Sequence, residues 1–259
     1  MEKQTINVLW TGGLDSTCRV AQLSQMDNIT IQPYYIVDPG RKSVEYELKA
    51  MKNITRSIRS NPNTVATLND VITIDKVRIE DNKVITESYK RLHSKYKLGS
   101  QYDFLARYAK QNNLVLEVGL ECSPRSKAYC CITEESGELL EDKTVDRLYI
   151  DKDCATIDGI NVFENLRFPS KLWHMSKLEE VDYMKSIGLN DIITKTHFCH
   201  QPVLGMTCGQ CNPCKDALNE GMEWRVSKLG MFLGFIRKWI WYFPKRVLGK
   251  IVRSFISHK

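Results

Sequence analysis

One stretch near the start of the chain decides the fold: Asn7-Val8-Leu9-Trp10-Thr11-Gly12-Gly13-Leu14-Asp15-Ser16-Thr17-Cys18. The apolar residues of 6–10 predict a short buried strand, and the run Ser16–Leu23 predicts an amphipathic helix. Two glycines at such a junction let the backbone approach a ligand, and the unpaired N–H groups of the first helical turn converge there with the positive end of the helix dipole. The stretch therefore predicts an anion-binding loop, to which three hydroxyls can add donors: Thr11, Ser16 and Thr17. The alternative is a plain glycine turn between a core strand and a core helix.

The loop matches neither the Walker pattern G-x-x-x-x-G-K-[ST] nor the dinucleotide pattern G-x-G-x-x-G. It resembles the PP-loop, S-G-G-x-D-S, of the ATP pyrophosphatase superfamily, with Thr11 at the position of the first serine. The resemblance implies that ATP is held here and that pyrophosphate leaves as a substrate is adenylated. It also implies nucleotide contacts along the whole stretch, from Val8, Leu9, Trp10, Thr11, Gly12, Gly13, Leu14, Asp15, Ser16, Thr17 and Cys18.

Strand and helix patterns alternate along the next part of the chain. Strands are predicted at 31–37, 71–74 and 115–119, and helices at 43–60, 84–98, 103–112 (with Asp103 as cap) and 176–187. Such alternation favours a parallel sheet with helices on both faces. Together with the loop it predicts an α/β fold of the Rossmann-like, adenine nucleotide alpha hydrolase-like type. Residues 132–165 are predicted as a solvated acidic loop with two short strands, at 148–150 and 160–163.

Composition and charge narrow the setting. The chain has 259 residues, and the Met-Glu-Lys-Gln start runs into a strand without a signal segment, so a cytoplasmic location is expected. From Trp224 onward there are nine Lys or Arg and no Asp or Glu; subtracting this +9 from the total of +6 leaves −3 for the first 223 residues. A basic segment of this kind is typical of contact with nucleic acid, anionic lipid or an acidic partner.

Four of the nine cysteines lie in a loop rich in glycine and proline, with the spacing Cys199-x8-Cys208-x2-Cys211-x2-Cys214. Four thiolates at this spacing can converge on Zn²⁺, and a closed four-sulfur shell makes such a zinc structural. An iron–sulfur cluster is the competing ligand set. His197 and His200 flank the first cysteine and are expected at the surface or around the site, outside the ligand set.

The order of the motifs resembles the 7-cyano-7-deazaguanine synthase (QueC) family. Its members have the PP-loop first, an Arg-containing turn after the second strand, a Ser-Lys-x-Glu helix, and a cysteine followed by C-x2-C-x2-C. Here the later parts are matched by Gly40–Glu45, Leu172–Glu179 and the four cysteines, so the similarity spans about residues 5–220. The domains expected are 1–190 for ATP binding, 191–223 for the zinc knuckle and 224–259 for a basic helical extension.

The resemblance implies an ATP-dependent ligase. ATP would activate the carboxylate of 7-carboxy-7-deazaguanine as an acyl-adenylate, ammonia would give the amide, and a second ATP-driven step would give the nitrile. Asp15, Ser16 and Lys177 are the implied catalytic residues, Arg41 is an implied phosphate contact, and Mg²⁺ is expected near Asp15 because it prefers carboxylate and phosphate oxygens. ATP, Mg²⁺ and Zn²⁺ are the cofactors expected.

The substrate loops depart from the family pattern. The family's Pro-x-Arg-Asn loop stands here as Leu98–Asp103, and its Tyr-Pro-Asp segment as Glu121–Cys130. Gln101, Gly119 and Glu121 remain as the expected substrate contacts. A second hypothesis therefore joins the activated deazapurine-like acid to an amine of a protein or tRNA. A third is a catalytically idle zinc protein that binds nucleic acid or a membrane.

The C-terminal extension is apolar nearly all round over Leu229–Phe243, and an amphipathic helix is predicted after Pro244. Tryptophan and tyrosine beside lysine and arginine are typical of an interfacial membrane helix, which adds a peripheral membrane location to the expectation. The same pattern suits docking on a partner or on a second copy as a homodimer. The alternative is that Leu229–Ile236 completes the core.

Overall fold

The computed structural model describes residues 3–120 and 126–240. The contacts between residues divide the chain into two compact units. The first comprises Met1–Gly40 and Val44–His197, and the second comprises Arg41–Ser43 and Phe198–Lys259.

The first unit is built on an eight-stranded sheet, in the order β3-β2-β1-β5-β8-β7-β6, with β4 paired to the distal half of β2. Strands β1 to β5 and β8 pair in parallel, whereas β7 pairs antiparallel with both β8 and β6. The strands are β1 Gln4–Leu9, β2 Ile29–Val37, β3 Thr67–Leu68, β4 Ile72–Asp75, β5 Leu116–Val118, β6 Leu139–Asp142, β7 Arg147–Ile150 and β8 Leu166–Pro169.

Helices flank this sheet and connect its strands. They are α1 Leu14–Ser24, α2 Val44–Ser60, α3 Lys83–Tyr96, α4 Gln101–Gln111, α5 Lys127–Ser136, α6 Ile157–Phe163, α7 Ser170–Trp173, α8 Lys177–Ser186 and α9 Asn190–Ile193. The fold is thus an α/β arrangement around a mostly parallel sheet, as the alternating pattern predicts.

The core lies around β1 and α1. Because β1 has a strand on each side and helices cover the sheet, Val8 and Trp10 are completely buried, and α1 is buried at every position except Asp15. An ion pair also lies inside this core: Arg19 Nε donates to Glu117 Oε2 at 2.7 Å, which ties α1 to β5. Separating such a pair leaves an uncompensated buried charge, which is costly. The pair therefore holds α1 in place against β5.

Three sequence predictions in the first unit are wrong. Residues 160–163 lie in α6 instead of a strand, because Thr156 caps a helix there and its Oγ1 accepts from Gly159 N at 3.1 Å. Glu135, predicted in a solvated loop, is buried in α5 and accepts hydrogen bonds from Tyr96 and Thr156. Asp103 lies in the first turn of α4 instead of capping it, and its carboxylate binds Thr86 and Arg107.

The second unit contains helix α10 (Asn212–Asn219) and a helix over 228–240, here α11. Ser227 caps α11, since its Oγ accepts from Gly230 N at 3.0 Å. Within residues 3–120 and 126–240 no helix has the length and apolarity needed to cross a membrane. The amphipathic helix predicted after Pro244 lies outside the described residues.

Candidate functional site

The glycine loop lies at the carboxyl end of β1, where the direction of the sheet changes. From β1 the chain moves through α1 to β2 on one side, and it later returns to β5 on the other side of β1. Open parallel sheets bind ligands in the crevice that forms at the carboxyl ends of two strands whose connections diverge in this way. Residues 11–13, after β1, and Gly119, after β5, lie at that point.

Gly12 holds the loop in a conformation and a space that favour glycine. Its φ is +69°, and an added Cβ would lie 3.1 Å from Glu47 O and 3.2 Å from Met51 Cγ of α2. Its carbonyl accepts a hydrogen bond from His197 N at 2.8 Å, and the His197 ring stacks on Tyr46 with ring centroids 5.5 Å apart. His197, expected at the surface or around the metal, therefore supports the loop.

The first turn of α1 keeps its amides free of a side-chain cap. Gly13 occupies the cap position with φ −76° and ψ 171°, and glycine offers no side-chain acceptor. Thr11 Oγ1 and Ser16 Oγ lie 3.3 Å apart beside these amides, and Ser16 Oγ also donates to Gly13 O at 3.4 Å. Thr17 is placed differently, because its hydroxyl accepts from Trp10 Nε1 at 3.0 Å inside the core.

Gly119 brings β5 against the same helical turn. A Cβ at this position would lie 3.2 Å from Ser16 N and 3.3 Å from Ser16 Cα. This contact is tighter than most Cβ atoms make, so glycine allows the end of β5 to reach the first turn of α1. The sequence predicts a substrate contact for Gly119, and the structure gives the residue a packing role beside the loop.

Lys177 and Asp15 face one another across the loop. Lys177 is the first residue of α8, whose start is fixed by a capping box between Ser176 and Glu179. Its Nζ forms an ion pair with the Asp15 carboxylate, and it lies 3.7 Å from Oε1 of the buried Glu180. Burial by itself raises the pKa of Asp15, but the Lys177 ammonium and hydrogen bonds outweigh it, so the pKa is lowered. Asp15 is therefore a carboxylate in the folded protein.

The other residues predicted for the site lie in the core or away from the loop. Burial, reinforced by the carboxylates of Glu180 and Asp15, raises the pKa of the Cys18 thiol, so Cys18 is not a thiolate nucleophile. Arg41 is exposed and groups with the second unit. Gln101 is the exposed first residue of α4. Glu121 lies outside the described residues.

The second unit brings its four cysteines together. The sulfur atoms of Cys199, Cys208, Cys211 and Cys214 all lie within 4.8 Å of one another, and three of the four residues are buried. Tetrahedral zinc with bonds of about 2.3 Å places its sulfur ligands about 3.8 Å apart. The distance from Cys211 Sγ is 3.4 Å to Cys214 Sγ and 3.9 Å to Cys199 Sγ, which fits one small ion.

The backbone around the cysteines supports thiolate ligands. Cys208 N donates to Cys199 Sγ at 3.2 Å, and Gln210 N donates to Cys208 Sγ at 3.4 Å. Hydrogen bonds of this kind orient metal ligands and stabilise their negative charge. The four cysteines could thus hold a metal ion such as zinc.

Sequence reasoning missed two groups that shape the loop. Glu180 follows the matched Ser-Lys-x-Glu motif by one position, and only its burial beside Lys177 distinguishes it from Glu179, the other glutamate of α8. The position of His197 next to Cys199 suggests a place near the metal, whereas its backbone and ring contact Gly12 and Tyr46. This role has no local pattern, because both contacts are more than 100 positions away in the sequence.

Comparison with known proteins adds no assignment: no protein-family model matches the chain, and no curated protein matches it with significant similarity.

Proposed function

We propose that the chain is an ATP-dependent ligase that adenylates a carboxylate and releases pyrophosphate. The observation that carries this proposal is the arrangement at the end of β1, where Lys177 pairs with Asp15 in the uncapped first turn of α1. Backbone amides, a hydroxyl pair and one lysine are the donors that a polyphosphate requires, and a helix N-terminus favours its charge. The strand order on both sides of β1 supports a Rossmann-like sheet of the adenine nucleotide alpha hydrolase type.

The ion pair also suggests how the site would respond to its nucleotide. Mg²⁺ prefers carboxylate and phosphate oxygens, so Asp15 is the residue that would hold it. Lys177 would then exchange the Asp15 carboxylate for a phosphate oxygen, and the amides of Gly13 and the first turn would bind the departing pyrophosphate. Such a ligase works by positioning and charge stabilisation, so it requires no nucleophilic cysteine.

A single Zn²⁺ is the metal that we assign to the four cysteines. An iron–sulfur cluster places two or more irons between its thiolates and spreads them apart, whereas here all four sulfur atoms lie within 4.8 Å. A zinc ion with four sulfur ligands has no open position, so its role would be structural.

The substrate we propose is 7-carboxy-7-deazaguanine or a related acid, with Gln101, Gly119 and Glu121 as the expected contacts and an amide or nitrile of the preQ0 type as product. The test is pyrophosphate release from ATP and Mg²⁺ with and without this acid. We expect release that depends on the acid and falls by about 10²-fold or more in Lys177→Gln, since one charge-stabilising donor is lost. The matched control is Lys185→Gln, on the same helix and paired at the surface with Asp182. Equal activity of the two variants would contradict the role of Lys177.

An acceptor amine on a protein or tRNA is the second candidate, and the basic composition of residues 224–259 favours it over free ammonia. Here the acid would still drive pyrophosphate release, but the acyl group would add its mass to a co-expressed partner. Unchanged intact masses of partner proteins and tRNA would contradict this version. If calorimetry detects no binding of a non-hydrolysable ATP analogue, both ligase candidates fail and the idle zinc protein remains.

A further inference from the structure

Helix α11 exposes a continuous apolar face. Five large side chains of this helix are each more than half exposed: Leu229, Phe232, Phe235, Trp239 and Ile240. At 3.6 residues per turn they occupy an arc of about 140° on one side of the helix. Trp224, just before the helix, is also more than half exposed. An exposed aromatic and aliphatic face of this kind marks a surface that binds something.

Helix α11 cannot rotate to bury its apolar face, because its opposite face packs too closely. Gly230 and Gly234 lie against the backbone of the cysteine loop, where an added Cβ would overlap Thr207 O and Cys208 O respectively. Gly209 packs equally closely against Met231. Rotation of the helix to bury its large side chains would put them where only hydrogen atoms fit. The metal-binding loop therefore fixes α11 with its apolar face outward.

The surroundings of this face within the second unit are strongly basic. Lys228, Arg237 and Lys238 lie on α11. A cavity of about 410 Å³ is lined by the last two of these together with Lys42, Gln201, Gln210, Cys211 and Gly234. Arg237 is held at this cavity because its guanidinium donates to Gln201 O at 2.8 Å and Pro202 O at 3.2 Å. Since Gly234 also lines this cavity, the cavity lies on the glycine side of α11, and Arg237 and Lys238 flank the apolar face.

The positive charge of this region distinguishes the three kinds of partner that could bind the apolar face. A second copy would bring the same nine cations and no carboxylate of residues 224–259 against the first, which costs repulsion. A single-stranded nucleic acid would pair with the cations and stack bases on Phe232, but it has no apolar group that would cover the aliphatic side chains of Leu229 and Ile240. An anionic bilayer meets both requirements, because its headgroups bind the cations while its acyl boundary receives the apolar side chains and the tryptophans.

We propose that α11 binds the surface of an anionic membrane, with its exposed apolar face at the boundary between headgroups and acyl chains and with the lysines and arginine of the helix near the headgroups. The inference does not depend on the proposed ligase activity. Residues 241–259 add five more Lys or Arg and no Asp or Glu, so their charge favours the same surface.

The test is sedimentation of the full chain with vesicles of phosphatidylcholine alone or with about one-third phosphatidylglycerol. We expect at least about tenfold tighter binding to the anionic vesicles, weakened by salt. Trp224 and Trp239 should add a blue shift of the fluorescence. Phe232→Ser or Phe235→Ser should weaken binding about tenfold each, since each removes one large apolar side chain from the interface. Val77→Ser and Ile157→Ser, which change exposed apolar residues of the first unit, are the controls.

Three results would overturn the proposal. One is equal binding of the Phe232→Ser chain and the Val77→Ser chain to anionic vesicles. A second result is that light scattering detects a dimer in the absence of lipid and that Phe232→Ser dissociates it. This would assign the face to a second copy. The third is binding to an RNA oligonucleotide with no binding to vesicles. Thermal melting of each variant checks that these surface changes leave the protein folded.

Discussion

Helices α1 and α11 both use glycines for close approach, but they turn opposite faces to the solvent. In α1 every residue except Asp15 is buried, and the preceding glycines leave the amides of its first turn uncapped at the surface of the sheet. In α11 the glycines are the buried side, and the large apolar residues are exposed. Glycine at a close contact can thus serve either a ligand or the packing of the chain itself, and the exposure of the other residues of the helix distinguishes the two cases.

The largest expected effect is that loss of the metal ion unfolds the unit that contains α11 and leaves α1 folded. Cys214→Ser, or removal of the metal by a chelator, should unfold the second unit, because a structural zinc contributes of the order of 10 kcal/mol to the folding of a small metal-binding unit. Hydrogen exchange should show protection lost across 198–240 and retained in β1 and α1. Elemental analysis should find about one zinc per chain in the wild type. Cys154→Ser, at an exposed cysteine, is the control. Protection that survives complete metal removal would contradict a structural role for the ion.

A smaller effect tests the two kinds of glycine directly. Gly234→Ala places a methyl group on Cys208 O and should destabilise the second unit by about 1–3 kcal/mol, the usual cost of overpacking. Gly13→Ala meets only ordinary contacts, 3.4 Å from Thr11 Oγ1, so its melting temperature should hardly change. Its affinity for ATP should instead fall about tenfold, because the added methyl group lies where a phosphate would approach the amides of the loop. Melting curves measure the stability of both variants, and calorimetry measures their affinity for ATP. If Gly13→Ala binds ATP like the wild type, the proposed role of this glycine in binding phosphate is contradicted.

The smallest effect concerns the ion pair at the start of α1. The pKa of Asp15 is lowered, so its pairing with Lys177 stabilises the fold above the ordinary carboxyl pKa and is lost as the pH falls through the lowered value. Between neutral pH and about pH 3 the wild type should therefore lose of the order of 1 kcal/mol more stability than Asp15→Asn. Urea unfolding at several pH values measures this. Asp182→Asn, which removes an exposed pair with Lys185, should change the pH dependence less.

Much of the first unit could be predicted because the residue patterns that specify its strands and helices lie within short stretches of sequence. The strand–glycine–helix start, the face of α2 and the capping box at Ser176 each depend on residues within a few positions. The sequence does not predict β8 and predicts a strand where α6 lies, since short apolar runs do not distinguish strand from helix without their neighbours. Glu135 was missed for a similar reason, because its partners Tyr96 and Thr156 come from distant parts of the chain.

By itself the sequence determined the alternation of strands and helices, the glycine loop with its hydroxyls, and four cysteines at metal-binding spacing. All of these follow from periodicity and spacing along the chain. Only the tertiary structure decided that Lys177 pairs with Asp15, that Gly119 and His197 support the loop, and that α11 faces outward. Helix α11 is apolar nearly all round, so apolar periodicity does not indicate which of its faces packs; Gly230 and Gly234 do, because they let the backbone of the cysteine loop approach closely.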